Sequence, residues 1–537
     1  MTFSLLTVEC GSIQSYVFSS NRLAENAGAS YLVAQATEGW ALEALTKARL
    51  RHNVSNARAD NPFEEGHLFR DRSDWQAEVI YFGGGNITIL FRDATGAHAF
   101  TEQLSKKVLC EAPNLRLQVH SIAWEGCDKP LGQAVGELRR AMKAATSRQP
   151  VNAPLLGIGV TAMCQETGLP ALERIRIGSE PPDLRYLSAE VLAKRAAVNE
   201  AKDNLKHLLG EHSEEYEFPS DLDHLGYGDV SRSYIAVVHA DGNDMGTIIR
   251  KIGEEPDCEK YIERMRAFSQ ATKRIAFQAM QAVINLLKGR VQNTGGGASQ
   301  KPRLPIRPII FGGDDTTFVC AGNIGLTLAV EYLRAFEEAA KKDERLQKVL
   351  KDVGHSESLT ACAGVAIVKS HYPFARAYEL SEELCSEAKK FRRAASLQGS
   401  ALDWYFSTSG LYAGLEDMRE REYRVPSGSL TLRPIALDNE PKAGVRCWPN
   451  IERLTKEFQS GEWAEKRNKA KLLHDALREG PDAVKRFREV YLEGEGTSGA
   501  LPQLDGFDDG WNNGKCGYFD VLELMDIHTP LRKAGES

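Results

Sequence analysis

Along residues 1–405 the chain alternates between short apolar, β-branched runs closed by glycine and longer stretches whose apolar residues fall at helical spacing. FSLLTVE (Phe3 to Glu9) predicts a strand, and Ala, Leu and Glu at helical spacing over residues 11–45 predict helix. Residues 79–82 and 87–91 predict two strands separated only by Gly83-Gly84-Gly85-Asn86. A helix over 96–109 and a strand over 115–124 complete a unit. The same order then returns: a strand over 234–240, a long helix over 261–287 and a Gly/Ser/Pro loop over 289–305. A strand, Gly312-Gly313-Asp314-Asp315, a strand over 316–320, a helix over 326–341 and a strand over 359–368 follow. Glu9 and Gly84 stand at nearly the same separation as Asp241 and Gly313, which predicts a duplicated unit. Strand, helix, strand, tight turn, strand, helix, strand is the order of a ferredoxin-like β-α-β-β-α-β fold.

The region between the repeats is mixed. Residues 130–147 and 188–209 predict helices, 155–162 a strand, and 211–228 an acidic, turn-rich linker. Beyond residue 406 the pattern becomes helical and charged, with helices over 452–459, 462–479 and 481–492 and a Gly/Asp/Asn-rich loop over 503–514. The fold class is therefore α+β, with two ferredoxin-like domains, a helical linker region and a helical C-terminal domain. The boundaries are 1–125, 126–230 (mixed, mainly helical), 231–405 and 406–537.

The second glycine turn changes the picture, because it carries two adjacent carboxylates. Asp and Gly are ordinary turn residues, and four such letters alone are most simply a solvated turn. Two carboxylates about 4 Å apart repel by roughly 4 kcal/mol at an effective dielectric near 20, a penalty that a divalent cation removes. In the ferredoxin-like order the first strand lies beside the hairpin, so Asp241 at its end joins Asp314 and Asp315. Asp244 follows by alternation on the other face and is a weak candidate.

Composition narrows the class without deciding it. The 537 residues exceed one core and suggest about three domains; 42% are hydrophobic, 26% charged, and no apolar run has the length of a membrane span. The N-terminus lacks a basic region before its apolar residues and reads as a strand rather than a leader. Ten dispersed cysteines without a C-x-x-C pair point to reduced, mostly buried thiols in a cytoplasmic protein, not to a zinc site. A net charge of −7 argues against binding nucleic acid over the whole surface, though not in a local basic groove.

YFGGGN (Tyr81 to Asn86), ADGNDMG (Ala240 to Gly246), FGGDD (Phe311 to Asp315) and AGVAIVKSHYPFARAYELSEELCSEAKK (Ala363 to Lys390) occur in this order. Together with GSIQSYVFSSNRLAENAGASYL (Gly11 to Leu32), they resemble the large two-palm polymerase/cyclase subunit of type III CRISPR effector complexes. The resemblance covers most of residues 1–405. It implies palm-type joining of ATP into cyclic oligoadenylate messengers of antiviral defence. Asp241, Asp314 and Asp315 match the metal-binding acids, and Gly242, Gly312 and Gly313 the glycines beside them. Gly83, Gly84, Gly85 and Asn86 match the non-catalytic turn of the first palm. The implied partners are ATP, guide-RNA effector subunits or target RNA, and an effector that responds to cyclic nucleotides. Three features depart from the family: Asn243 replaces the second Asp of the DGD element, and neither an N-terminal HD nuclease domain nor a Cys-rich zinc element is visible. A compact form results, either within a guide-RNA complex or standing alone.

The chemistry implied is attack of a ribose hydroxyl on an α-phosphorus with loss of pyrophosphate. Two Mg²⁺ or Mn²⁺ ions about 3.5–4 Å apart would assist it. Mg²⁺ takes one or two carboxylates plus phosphate oxygens and water, which suits Asp241 with Asp314, and Asp315 as second ligand or support. Lys369, Lys389 and Lys390 are candidates to hold the β- and γ-phosphates, and Arg307 is a weaker one; most such side chains are simply solvated. His474-Asp475 has no companion histidines and reads as a helix face. Two alternatives stay open: a diguanylate-cyclase-like enzyme using GTP, and a nucleotide-sensing scaffold or RNA-guided subunit without turnover.

Overall fold

Two sheets of matching topology organise the chain. The computed structural model describes residues 2–55, 61–126, 129–146, 159–177, 183–225, 234–288, 301–355, 358–407, 414–460, 463, 467–493, 500–525 and 527–531. The first sheet comprises β1 (Phe3–Gly11), β2 (Ala77–Gly83), β3 (Asn86–Phe91) and β4 (Arg116–Trp124), in the spatial order β2-β3-β1-β4. Every neighbouring pair is antiparallel, as a ferredoxin-like fold requires. Three helices, α1 (Ile13–Val17), α2 (Leu23–Thr37) and α3 (Gly39–Lys47), fill the first crossover, and α4 (Ala94–Glu111) fills the second.

The segment between the sheets holds α5 (Leu131–Thr146), a hairpin of β5 (Glu173–Ile177) and β6 (Asp183–Leu187), α6 (Ala189–Ala196) and α7 (Val198–Leu209). The hairpin is an addition to the sequence expectation. The strand expected over 155–162 lies outside the described residues up to 158, and residues 159–162 form a turn. The single helix expected over 188–209 is two, broken at Ala197.

The second sheet carries the same core and two further strands. Its elements are β7 (Tyr234–Gly242), α8 (Met245–Gly253), α9 (Cys258–Leu287), β8 (Ile306–Phe311), β9 (Asp315–Ala321), α10 (Gly325–Lys342), α11 (Glu344–Asp352), β10 (Ala361–Lys369), α12 (Phe374–Ala394) and β11 (Ala401–Phe406). The order β10-β7-β9-β8 repeats that of the first sheet, and β11 adds on parallel to β10. Alternation along the strands then sets two faces. Ala236, Val238, Ala240, Phe318 and Cys320 join α9 and α10 in one core, as the helical spacing over 261–287 anticipates. Ile235, Val237 and Val319 point the other way and pack with Leu6, Val8 and Val33 of the first unit. The face that bears Asp241 is therefore turned toward the first unit and toward α12.

Close backbone packing holds α12 on that face. A Cβ at Gly364 of β10 would lie 2.0 Å from the Ser381 carbonyl oxygen and 2.4 Å from the Cys385 amide nitrogen. Gly364→Ala must push the helix off the sheet. We expect it to destabilise the protein by on the order of 3 kcal/mol, read as a lower urea midpoint at unchanged slope.

After β11 the chain forms α13 (Leu415–Tyr423), β12 (Arg424–Val425), β13 (Gly428–Ser429), β14 (Ile435–Ala436), α14 (Trp448–Gln459), α15 (Arg467–Glu479), α16 (Pro481–Tyr491), β15 (Trp511–Asn512), β16 (Lys515–Cys516) and α17 (Phe519–Met525). Helix dominates, as expected, with a small sheet of two-residue strands among the helices. β14 pairs with β11 and ties this region to the second sheet. Eight of the nine described cysteines are buried, and all nine are free; Cys127 lies outside the described residues. Among the described residues no helix is long and apolar enough to cross a membrane.

Candidate active site

Antiparallel pairing of β7 with β9 puts Asp241 directly opposite Asp315. The Gly242 N–H donates to the Asp314 carbonyl at 3.2 Å, closing the turn against the end of β7. A Cβ at Gly242 would stand 2.9 Å from the Asp314 Cβ, so the glycine is what lets the two segments approach. Gly312 and Gly313 hold φ of 155° and 159°, where L side chains are rare, and nothing lies within 4 Å of where a Cβ would be. The three sequence-predicted carboxylates are thus neighbours at one sheet end.

The first unit repeats this register. Glu9 stands opposite Asn86, and the Cys10 N–H donates to the Gly85 carbonyl at 2.8 Å. Gly84 and Gly85, both at positive φ (61° and 77°), make its two-residue turn. One carboxylate faces one amide there, where the second unit has acids on both strands. Lys273 and Phe277, one turn apart on α9, connect the two turns: a Cβ at Gly83 would meet Lys273, and the Phe277 ring lies 6.2 Å from that of Phe311.

Crowded acids have to be neutralised somehow, and the chain does so only in part. Lys389 of α12 donates to Asp241 Oδ2 at 2.6 Å and to the Gly242 carbonyl at 2.9 Å. Burial, then Asp241, raises Asp314 above the usual carboxylate range. Burial, with Asp241, Asp314 and Glu382 adding repulsion, pushes Asp315 up to about 8. Its side chain is 43% exposed, yet Oδ1 is enclosed and has no hydrogen-bond partner. Among the described residues no group of three or more His, Cys, Asp or Glu side chains is arranged to hold a metal ion by itself.

The raised Asp315 has a measurable consequence. Between about pH 4 and 8 the folded chain retains a proton there that the unfolded chain has released, so this group's contribution to stability falls as pH rises through that window. In metal-free protein we expect Asp315→Asn to raise Tm by a few degrees at pH 8 and by much less at pH 5. An equal shift at both values would contradict the assignment.

Side chains that the sequence pattern does not single out line the same face. His239, two residues before Asp241, is buried; burial pushes its pKa down to about 4, so the imidazole is neutral. Its Nδ1 lies 3.1 Å from Thr317 Oγ1 and 3.4 Å from Asp315 Oδ1. Tyr378 packs edge-on against His239, and its buried hydroxyl has no hydrogen-bond partner among the described residues. Glu382 accepts from Gln14 Nε2 of α1 at 3.0 Å, and Phe18 stacks on Tyr378, so the first unit borders the site. Tyr378, Glu382 and Lys389 recur at helical spacing on α12, the one sequence signal that could have found the first two.

Lys369 requires a correction. It pairs with Tyr234, whereas Ala361, at the other end of β10, pairs with Gly242. The two ends of this nine-residue strand are roughly 26 Å apart, too far for Lys369 to reach a nucleotide at the aspartates. The sequence places it at a strand end but does not say which. Lys390 is also turned away, paired with Glu387 at 2.7 Å. Arg307 is buried along β8, opposite Val319, and Asp244 is held by Arg392 at 2.9 Å. Asn243 is buried and donates to Thr360 Oγ1 at 2.9 Å.

Comparison with known proteins bears on the fold around this geometry. Residues 234–396 match the family model for the second palm domain of Cas10/Cmr2. No curated protein matches the chain by sequence. Among solved structures, a Csm1-Csm4 cassette in complex with AMPPNP is 15% identical, with a TM-score of 0.52 over 99% of this chain and 70% of that one. A Csm1-Csm4 cassette in complex with cA3 is 14% identical, with a TM-score of 0.51 over the same shares. Csm1 in T. onnurineus is 13% identical, with a TM-score of 0.51 over 98% of this chain and 70% of that one. At such identities the structures speak to the fold alone, and it is the expected one. Residues 234–396 thus match a second palm domain of the Cas10/Cmr2 kind, and the chain as a whole shares its fold with the Csm1 structures.

Proposed function

We propose that the chain is a metal-dependent nucleotidyltransferase that joins ATP into a cyclic oligoadenylate within a type III CRISPR defence system. The observation that carries this reading is the meeting of Asp241, Asp314 and Asp315 at one sheet end, with Asp315 Oδ1 enclosed and accepting no hydrogen bond. Such an orphaned acceptor beside two further acids suits Mg²⁺ or Mn²⁺. Bound there, divalent ions would lower the pKa of the attacking ribose hydroxyl and neutralise charge on the leaving pyrophosphate. Asp241 and Asp315, opposite each other, are assigned as ligands, with Asp314 beside them. Gly312 and Gly313 leave open space for a triphosphate against the backbone. Lys389, within reach of Asp241, supplies a cation for the phosphates. The neutral His239, held by Thr317 and 3.4 Å from Asp315 Oδ1, borders the carboxylate side of the site, with Tyr378 packed edge-on against it.

The Csm1-Csm4 cassettes of the same fold, in complex with AMPPNP and with cA3, favour an adenine nucleotide and a companion subunit for this chain too. Incubation of the full chain with radiolabelled ATP or GTP and Mg²⁺ or Mn²⁺, with and without companion subunits and target RNA, tests the reading. Cyclic product from ATP supports it. Product from GTP alone would replace the substrate, and nucleotide binding without product under any condition would favour a sensing scaffold.

A further inference from the structure

The C-terminal region forms a second cleft, at the other end of the second sheet. Phe406, at one wall, pairs with Ile367, whereas Ala401, at the near end of β11, pairs with Cys362 beside Asp241. The cleft encloses about 610 Å³ between α13, α15 and α17. Arg467, Lys471, His474 and Arg478 all line it. At i, i+4, i+7 and i+11 they form one stripe along α15, about 16 Å long. Arg421 faces them from α13.

Of the two carboxylates in the lining, Glu422 offsets Arg421 and Glu523 is paired with Arg433, which leaves the charge of the cleft on the α15 stripe. Glu422 accepts from the Tyr405 hydroxyl and pairs with Arg421 at 2.8 Å. Glu523 accepts from the Tyr423 hydroxyl at 2.6 Å and from Arg433 at 2.9 Å. Within the stripe His474 Nδ1 lies 3.5 Å from Asp475 Oδ1, while Arg467 and Lys471 are exposed. One ring faces the cleft: His474, partly exposed, stacks at 4.4 Å on the buried Phe519, and the Arg478 guanidinium lies 5.0 Å from the same buried ring. On a chain of net charge −7, a cleft lined by Arg467, Lys471 and Arg478 beside the His474 ring stands out as a local attractor of anions.

We propose that this cleft binds a single-stranded oligonucleotide, its phosphates along the α15 stripe and a base against the His474–Phe519 stack. A row of cations with interleaved aromatic faces is how such strands are held without sequence preference. The length of the stripe favours a strand carrying several phosphates over a single nucleotide. This assignment is independent of the catalytic reading.

The test is fluorescence anisotropy of a labelled ten-nucleotide oligo(A) RNA with the full chain across a salt series. The control protein carries Asp314→Ala with Asp315→Ala. The cleft variant carries Arg467→Glu, Lys471→Glu and Arg478→Glu, all exposed positions outside the core. The cleft variant is expected to bind at least tenfold more weakly at low salt. Its dependence of log affinity on log salt should be shallower by about 2, at about 0.7 per lost phosphate contact. The palm variant should bind as the parent does. Equal binding by parent and cleft variant, no binding by the parent at low salt, or competition by AMP or inorganic phosphate as effective as by unlabelled strand would each overturn the proposal.

Discussion

Replacing Asp314 and Asp315 together by Ala should reduce cyclic product from ATP by roughly 10³-fold or more, with the fold intact. Each tenfold loss corresponds to about 1.4 kcal/mol of transition-state stabilisation, and removing two acids from a metal-dependent phosphoryl-transfer site forfeits several such increments. The stability argument points the other way. Asp315 is held above its ordinary ionisation range by burial and by Asp241, Asp314 and Glu382, so removing charge here should raise Tm in metal-free protein. Lower activity with higher stability is the signature of a site kept for function. A variant that lost activity together with secondary structure would say nothing for the site, which is why circular dichroism and product formation belong on the same preparation.

Lys389→Ala should lower kcat/KM for ATP by roughly 10²-fold, whereas Lys369→Ala should leave it within about twofold of the parent. Lys389 bonds Asp241 and the Gly242 carbonyl, so its ammonium stands where a triphosphate would approach. Charge-assisted contacts in a partly desolvated site are among the strongest a side chain makes. Lys369 sits at the opposite end of β10. A comparable loss from both variants would mean that the nucleotide lies along the sheet and not at its end.

Much of this site is legible in the residues because it depends on local signals. Gly312-Gly313-Asp314-Asp315 between two β-branched runs predicts a tight turn, and the register that sets Asp241 against Asp315 follows from the ferredoxin-like order. The duplication is also visible in the spacing, and the Glu9–Asn86 pairing confirms it residue for residue. What the pattern does not carry is direction and distance. Lys369 follows an apolar strand as plainly as Lys389 follows a helical stripe, yet strand polarity takes one away from the aspartates and helix packing brings the other to them. Gln14, Tyr378 and Glu382 join the site only because α12 and the first unit cover the same face, a tertiary fact. The β5–β6 hairpin and the two-residue strands of the C-terminal region are too short for alternation to register.

The most direct measurement is anomalous diffraction from crystals of the full chain grown with Mn²⁺ and a non-hydrolysable ATP analogue. The account predicts Mn²⁺ in direct contact with the carboxylates of Asp241 and Asp315, and the triphosphate passing over Gly312 and Gly313 within reach of Lys389. Nucleotide bound with Mn²⁺ at any other acids, or with Asp241 still paired to Lys389 and no metal beside it, would contradict it.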